Sequence, residues 1–301
     1  MVIVKLQGGL GNQMFQYAVG RHLADRLNTR LKLDLQTLLD RTPQPNLTFR
    51  DYELDIFNLR AEIATPADVA RFAVPQTPAA RWLRKLRSPF AGYRIIREAT
   101  MAYDPRVPAA AGNLYLEGFW QSERYFSAGA DAIRRDFSFK TPPGPENQRV
   151  LAQMEAGTAV SVHIRRGDYV HNERTNSYHG ICSLDYYDEA VATLAKRVPD
   201  PRLFVFSDDI AWVKEAWKVP YPVVYVAHNQ GRSSWEDLRL MSRCRHHVIA
   251  NSSFSWWGAW LNPDPAKLVV APKHWLNPES YWYKEYNISD KDVVPSSWLT
   301  L

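Results

Sequence analysis

Cysteine is scarce in this sequence. The 301 residues contain two, Cys182 and Cys244, too few for a disulfide framework or a four-thiolate zinc site. We expect both to be small buried side chains in a reducing compartment. The sequence also lacks any run of about 18 consecutive apolar residues, and no basic segment followed by an apolar one opens it. It therefore predicts a cytoplasmic protein with no transmembrane segment.

Metal-binding motifs are missing as well. Neither HExxH nor CxxC occurs, and aspartates spaced one residue apart occur only at Asp290 and Asp292, in a polar segment with no buried strand before it. The adjacent pair Asp208 and Asp209 has the wrong spacing for a divalent-metal clamp. The sequence therefore predicts a site that works without a metal ion or other cofactor.

The overall composition is that of a globular protein that binds anions. Hydrophobic residues make up 46% and charged residues 23%, which excludes a disordered or fibrous chain. A net charge of +5 favours phosphate-like ligands but is too weak to require nucleic acid. The 11 Trp and 15 Tyr suit sugar rings as well as a core. An arginine-rich stretch at 81–97 is compatible with peripheral contact to the inner membrane or with a solvated face.

The order of apolar runs predicts an α/β fold in two domains. Residues 2–35 form a strand, a glycine turn, a helix and a strand, which is a βαβ unit. A segment with three prolines and a glycine, 138–149, is the best linker candidate. Beyond it, strands alternate with helices as in a doubly wound sheet; these strands are expected at 159–164, 203–206, 223–226, 247–250 and 268–271. We expect domains at 1–140 and 150–275, then a tail at 276–301.

Polar residues follow two of these strands, where an open parallel sheet binds its ligand. Arg165 and Arg166 end the first strand, and their guanidinium groups can bind phosphate oxygens. Asn251, Ser252 and Ser253 precede a helix whose first amides are not paired within the helix. Together they predict two sides of a diphosphate pocket.

Two acidic positions allow more than one interpretation. Asp237 is predicted either to form a capping box with Ser234 or to accept hydrogen bonds from a guanine base. Asp208, with Asp209, is predicted to cap a helix, to bind a ribose, or both.

The amino-terminal glycine turn suggests a second class of enzyme. Gly9, Gly11 and Asp34 are spaced as in a dinucleotide-binding loop, although Met14 occupies the position that needs a small residue. A dinucleotide-dependent oxidoreductase is therefore the alternative enzyme, and a non-catalytic sugar-binding module is the alternative outside enzymology.

Six motifs in the same order resemble the bacterial α-1,2-fucosyltransferases across nearly the whole chain. They are GGLGNQMFQYA at 8–18, GFWQSERYF at 118–126, HIRRGDY at 163–169, FSDD at 206–209, NSSFSWWGAWL at 251–261 and PKHW at 272–275. The resemblance implies a GT-B fold, with two Rossmann-like domains facing across a cleft. It also implies inverting, metal-independent transfer of L-fucose from GDP-fucose to the 2-hydroxyl of a terminal β-galactoside.

The same resemblance implies roles for individual residues. Asn12 is expected near the transferred sugar. Apart from the resemblance, Trp120 and Gln121 are our candidates for the acceptor groove. The expected donor ligands are Gly11, His163, Arg165, Arg166, Asp208, Asp237, Asn251, Ser252 and Ser253. Among them, Arg165 would bind the diphosphate, Asp237 the guanine, and Ser252 and Ser253 the phosphates.

Inversion also needs a carboxylate that removes the proton of the acceptor hydroxyl. Asp168 is the first candidate, although Arg165 and Arg166 should lower its pKa until bound diphosphate neutralises them. Glu173 is the alternative.

Overall fold

The structure is a computed structural model that describes residues 1–43, 49–72, 92–167, 177, 180–285 and 289–301. The chain divides into two compact units, Met1–Lys140 and Thr141–Leu301. Each unit contains a parallel β-sheet whose strands alternate with helices. The α/β class expected from the sequence is therefore confirmed. No helix in the described ranges is long and apolar enough to cross a bilayer.

The first unit is built on a five-stranded sheet in the order β3-β2-β1-β5-β4. All of its described pairings are parallel. The elements are β1 (Val2–Lys5), α1 (Leu10–Arg26), β2 (Leu31–Asp34), α2 (Gln36–Leu39), β3 (Glu62–Ile63), α3 (Pro66–Ala70), β4 (Tyr93–Arg97), β5 (Asn113–Glu117) and α4 (Ala130–Asp136). Three short 3₁₀ turns, Leu54–Ile56, Glu123–Tyr125 and Ser127–Gly129, complete it.

The second unit is built on a six-stranded sheet in the order β11-β10-β9-β6-β7-β8. Its described pairings are parallel too. The elements are α5 (Pro145–Glu155), β6 (Thr158–Ile164), α6 (Leu184–Ala195), β7 (Pro201–Ser207), α7 (Ile210–Ala216), β8 (Val223–Val226), α8 (Glu236–Arg243), β9 (His246–Val248), α9 (Ser253–Leu261), β10 (Val269–Ala271), α10 (Tyr281–Glu285) and β11 (Leu299–Thr300).

The segment 276–301, expected as a tail, belongs to the second unit. Strand β11 pairs with β10, and Asp290 accepts hydrogen bonds from the backbone N–H groups of Trp275 and Leu276 at 2.8 and 3.2 Å. Part of the expected linker is also regular, because α5 begins at Pro145, a residue suited to the first turn of a helix.

Helix α1 packs closely on the first unit's sheet because Gly20 has no side chain. A Cβ placed on Gly20 would overlap Val4 Cγ2 and lie 2.8 Å from Leu31 Cδ1. Both side chains are buried in the core. The close helix–strand contact is therefore made at Gly20, six residues after the Met14 position considered in the sequence.

Gly20→Ala should destabilise the first unit by about 1–2 kcal/mol. Overpacking a core costs about 1–3 kcal/mol, and the better helix propensity of Ala returns no more than about 1 kcal/mol. Gly92→Ala is the matched control, since no heavy atom lies within 4 Å of a Cβ at that position. Urea unfolding followed by circular dichroism measures both. Equal stability of the two variants would contradict the packing argument.

Candidate functional site

The second unit has a topological switch point between β6 and β9. From β6 the chain builds outward to β7 and β8 on one side, and from β9 to β10 and β11 on the other. Open parallel sheets bind ligands at such a point, beyond the carboxyl ends of the two central strands. The loop after β6 begins at Arg165 and the loop after β9 leads into α9, so both predicted phosphate-binding segments lie there.

Arg165 is held by an ion pair with the next loop of the sheet. Its Nη1 lies 2.9 Å from Oδ2 of Asp208, and the backbone N–H of Arg166 donates to Asp208 Oδ1 at 2.9 Å. A Cβ on Gly167 would lie 2.9 Å from Asp208 Cγ, so only glycine leaves room for this carboxylate. Asp208, expected as a ribose ligand or cap, thus orients the arginine loop.

Arg166 faces away from this loop, toward α7. Its guanidinium carbon lies 3.3 Å from the centre of the Trp212 ring, and its Nε lies 3.7 Å from Asp209 Oδ2. Asp209 also caps α7, because it accepts a hydrogen bond from the backbone N–H of Trp212 at 3.3 Å. The structure therefore uses Arg166 in a stacking contact with α7, whereas the sequence assigned it to phosphate.

The first turn of α9 presents amide groups that the described part of the chain leaves unpaired. Ser252 is the N-cap residue, but its hydroxyl makes no capping hydrogen bond. In the described residues, the backbone N–H groups of Ser253, Phe254 and Ser255 have no hydrogen-bond partner. Free amides at the positive end of a helix dipole form an anion site. The predicted phosphate cradle therefore has the required local geometry.

His163 connects the end of β6 with the start of α9. It is 5% exposed, and its ring lies 5.9 Å from the ring of Phe254. Burial lowers its pKa to about 4; Asp208 opposes this effect and Arg165 adds to it. The imidazole is therefore neutral at pH 7, and its buried Nδ1 has no hydrogen-bond partner among the described residues. Such an atom can pair with a bound ligand.

The side chain of Asn251 forms hydrogen bonds with the loops next to this anion site. Its Nδ2 donates to the carbonyl groups of Gly180 and Trp275 at 3.3 and 3.4 Å, and its Oδ1 accepts from Cys182 Sγ at 3.5 Å. It was predicted as a donor ligand, and the described contacts use its amide within the unit. Its role is to hold the loop that leads into Ser252.

Asp237 does not form the capping box expected as one of its two roles. Helix α8 has Trp235 as its N-cap residue and no side-chain cap. The carboxylate instead accepts a hydrogen bond from Asn229 Nδ2 at 2.8 Å. Burial raises the pKa of Asp237 to about 7, against the effect of the Asn229 hydrogen bond and with a smaller contribution from Glu236.

The glycine turn in the first unit is closed by a carboxylate that the sequence did not indicate. Gly8 has φ of +77°, and a Cβ there would lie 2.5 Å from Asn12 Nδ2. Glu53 accepts a hydrogen bond from the backbone N–H of Leu10; burial raises the pKa of Glu53 and this bond opposes the rise. The start of α1 is therefore paired within the unit, which disfavours a phosphate there.

Asp34, the candidate ribose ligand, is also used internally. Its Oδ2 accepts from the hydroxyl of Tyr115 at 2.7 Å and its Oδ1 from the backbone N–H of Gln36 at 3.0 Å. Both carboxylate oxygens thus have partners in the first unit, and the oxidoreductase alternative loses the residue on which its ribose contact depended.

The two acceptor candidates lie beyond the end of β5 and are buried. Trp120 is 1% exposed and has φ of +58°, while Glu98 accepts its backbone N–H at 2.9 Å. Gln121 Nε2 donates to Asn12 Oδ1 at 2.7 Å. Trp120 therefore belongs to the core, and Gln121 orients the amide of Asn12.

Several expected features lie outside the described residues. Asp168 and Glu173, the two candidate bases, are among them. In the ranges that are described, no group of three His, Cys, Asp or Glu side chains could hold a metal ion.

A match to a family model identifies the family of this chain. The model described as Glycosyl transferase family 11 matches residues 82–291. The chain belongs to glycosyl transferase family 11. The resemblance to the α-1,2-fucosyltransferases is thereby confirmed at the level of the family, and the protein is a glycosyltransferase.

Relatives of this family 11 enzyme carry names with an α-1,2 linkage. Alpha-1,2-colitosyltransferase of Escherichia coli is 32% identical over 314 aligned residues, which cover 100% of this chain and 99% of that protein. Human galactoside alpha-(1,2)-fucosyltransferase 1 is 29% identical over 156 residues, 49% of this chain and 43% of that protein. The solved fucosyltransferase NodZ from Bradyrhizobium is 14% identical with a TM-score of 0.47, covering 87% of this chain and 93% of that one.

Replacing Asp237 should change the stability of the family 11 enzyme in a pH-dependent way. The folded carboxyl keeps its proton up to about pH 7, whereas the unfolded one loses it near 3.8. Its contribution to the free energy of unfolding is therefore full below pH 3.8 and lost as the pH rises to about 7. The free energy of unfolding of Asp237→Asn, measured relative to the parent, should therefore increase by roughly 1–3 kcal/mol as the pH rises from 5 to 8.

Thermal unfolding of both proteins at a series of pH values measures this gain. Glu189→Gln is the control, because it removes an exposed carboxyl from α6 of the same unit. A difference between Asp237→Asn and the parent that is constant over this pH range would contradict a buried, protonated Asp237.

Proposed function

We propose that this enzyme transfers L-fucose from GDP-fucose to the 2-hydroxyl of a terminal β-galactoside, with inversion and without a metal ion. The observation that supports it most directly is the anion site at the switch point of the second unit. Among the described residues, the free amides of α9 and the guanidinium of Arg165 follow two adjacent strands, and the unpartnered Nδ1 of His163 lies near the end of one of them, β6.

The diphosphate of the donor would be held by the α9 amides and by Arg165. Both carry positive charge or partial charge, and both are fixed before the ligand binds: the amides by the helix, Arg165 by Asp208. As the sugar leaves, negative charge develops on the β-phosphate, and preorganised donors stabilise it. This arrangement supplies the charge stabilisation that a metal ion provides in other enzymes.

The guanine base would pair with Asp237. The N1–H and the 2-amino group of guanine are adjacent donors that match the two oxygens of a carboxylate. In the described structure Oδ1 accepts from Asn229 and the carboxylate has no other hydrogen-bond donor. Asp237 lies at the start of α8, and α8 packs on α9 where Gly258 faces Met241. The proposed base and phosphate contacts thus lie on neighbouring helices.

In the reaction, the oxygen of the acceptor 2-hydroxyl attacks C1 of fucose as the bond from C1 to the diphosphate oxygen breaks. GDP leaves with the bonding electrons, and the hydroxyl proton passes to a carboxylate. We propose Asp168 for this base, with Glu173 as the rival. Asn12 is proposed near the fucose; because Gln121 donates to its Oδ1, its Nδ2 is left as a donor.

Colitose is the second candidate for the transferred sugar. The relative that is 32% identical over the whole chain is named for it. Colitose lacks the 3-hydroxyl of fucose, so the two GDP-sugars share the guanine, the diphosphate and the anomeric centre. We propose a galactoside as the acceptor because the human relative is named for that acceptor.

A transfer assay should show product with GDP-fucose and a β-galactoside. Mass spectrometry and NMR of the product identify the sugar and the linkage, and GDP-colitose serves as the competing donor. Full activity in the presence of a chelator is expected. Product with GDP-colitose alone would favour the second candidate, and loss of activity with the chelator would contradict the metal-independent mechanism.

Arg165→Ala should lower kcat/KM for GDP-fucose about 10²–10³-fold, because removing one charged donor from developing negative charge costs roughly 3–4 kcal/mol. Arg245→Ala is the control, since it removes an exposed arginine at the opposite edge of the same sheet. The control should stay within about twofold of the parent. Equal kinetics of the two variants would exclude Arg165 from the donor site.

A further inference from the structure

A partly buried polar network contacts Asp237. Asn229 Nδ2 donates to Asp237 Oδ1 at 2.8 Å and to Asn147 Oδ1 at 2.9 Å, and Asn147 Nδ2 donates to Asn229 Oδ1 at 3.1 Å. His228 Nε2 lies 2.7 Å from Asn147 Oδ1. These contacts join α5, the loop after β8 and the start of α8. No part of the proposed reaction accounts for them.

The reciprocal pair of amides fixes which atom of Asn229 faces Asp237. If Asn229 rotated by 180°, its oxygen would face both Asp237 Oδ1 and Asn147 Oδ1, and its nitrogen would face Asn147 Nδ2. Three hydrogen bonds would become repulsive contacts. His228 supports the same orientation of Asn147 in the tautomer that carries the proton on Nε2, because that N–H can donate only to the amide oxygen. Asn229 is therefore held as a donor to the carboxylate.

The network is supported by the packing of α5 on α8. Asn147 is 5% exposed, and on the same helix Val150 and Met154 pack in one cluster with Leu240 and Met241 of α8. A hydrogen-bonded network whose central residue is buried on such a base is rigid. Asn147 lies in the segment that the sequence suggested as a linker, so its burial is a result of the fold.

Few other charges face Asp237. Glu236, next to it, lies 2.9 Å from Nε of Arg239, and His228 contacts only Asn147 among the described groups of the network. Helix α9 carries no charged side chain, and the charged residues of α5, which are Glu146, Arg149 and Glu155, form no described ion pair with Asp237. The hydrogen bond from Asn229 is thus the main polar contact of the carboxylate.

We propose that Asn147, acting through Asn229, is a positioning residue that orients the Asp237 carboxylate for guanine. The proposal rests on the proposed role of Asp237 in donor binding. Asn229 donates to Oδ1 and so fixes the plane of the carboxylate. The two adjacent donors of guanine would then meet two fixed acceptors. It also favours the ionised form of Asp237, which is the form that can accept both bonds.

Asn147→Leu tests this role, with Val150→Ala as the matched control. Both change a buried residue of α5 and should lower stability, but only the first breaks the network. Calorimetric titration with GDP-fucose from pH 6 to pH 8 measures affinity; neither the diphosphate diester nor the guanine N1–H changes its protonation in that range. Asn147→Leu should bind about 5–20-fold more weakly at pH 7, with the pH midpoint of binding raised by about 0.5 or more.

The selectivity for the base is the second readout. Inosine diphosphate lacks the 2-amino group, so the parent should prefer GDP, and Asn147→Leu should reduce this preference while Val150→Ala retains it. If Asn147→Leu does not fold, Asn147→Ala replaces it; this variant removes the amide without adding bulk or charge, and its midpoint should also rise. A midpoint and a preference equal to those of Val150→Ala would overturn the proposal.

Asp237→Asn separates this proposal from the proposed function. If it binds GDP-fucose as the parent does, with the same pH profile, the guanine role of Asp237 fails and the role of Asn147 fails with it. If Asp237→Asn weakens binding and removes the pH dependence, but Asn147→Leu behaves like Val150→Ala, only the role of Asn147 is wrong.

Discussion

The parallel pairing of β6 with β9 is the constraint on which the candidate site depends. Residues Val160 to Val162 of β6 lie in register with His246 to Val248 of β9, so both strands end at one edge of the sheet. The chain leaves this edge in opposite directions, which is the arrangement that opens a ligand-binding crevice between the two strand ends. Arg165 and the start of α9 are neighbours for this reason, although 88 residues separate Arg165 from Ser253 in the sequence.

Burial around this edge has a cost that a ligand can offset. His163 is kept neutral, with a ring nitrogen that no described residue pairs, and Asp237 is kept protonated up to about pH 7. A buried polar atom without a partner costs about 1–3 kcal/mol, and a carboxyl whose pKa is raised by burial also lowers stability above its usual pKa. Such costs are concentrated at functional sites, where binding supplies the missing partners. The structural residues nearby, such as Asn251 and Asp208, are by contrast fully paired.

The sequence predicted the strands and helices of the second unit well because their apolar runs are long and regular. It missed β3 and β11, which have two residues each and too few positions to show a period, and it assigned no element to β4, whose segment combines arginines and aromatics without a clear period. At the site, the strand-end rule placed Arg165 and Ser253 beyond the carboxyl ends of β6 and β9, where the structure has them. It could not predict the direction of the Arg166 side chain, because the choice between the ligand and Trp212 depends on tertiary packing. Glu53 and Asn147 were missed because their partners, Leu10 and Asn229, are 43 and 82 residues away.

The proposed donor contacts do not by themselves choose between fucose and colitose. Asp237, Arg165 and the α9 amides would bind guanine and diphosphate, which both donors contain. The choice must come from whatever group lies within hydrogen-bond distance of the sugar 3-position. A site with a polar group there rejects the deoxy sugar strongly, by about 10⁴-fold or more, because that group would lose its partner. An apolar site rejects the extra hydroxyl only about 10²-fold. The size of the preference therefore reports the chemistry of that position, and a weak preference in either direction indicates an apolar contact.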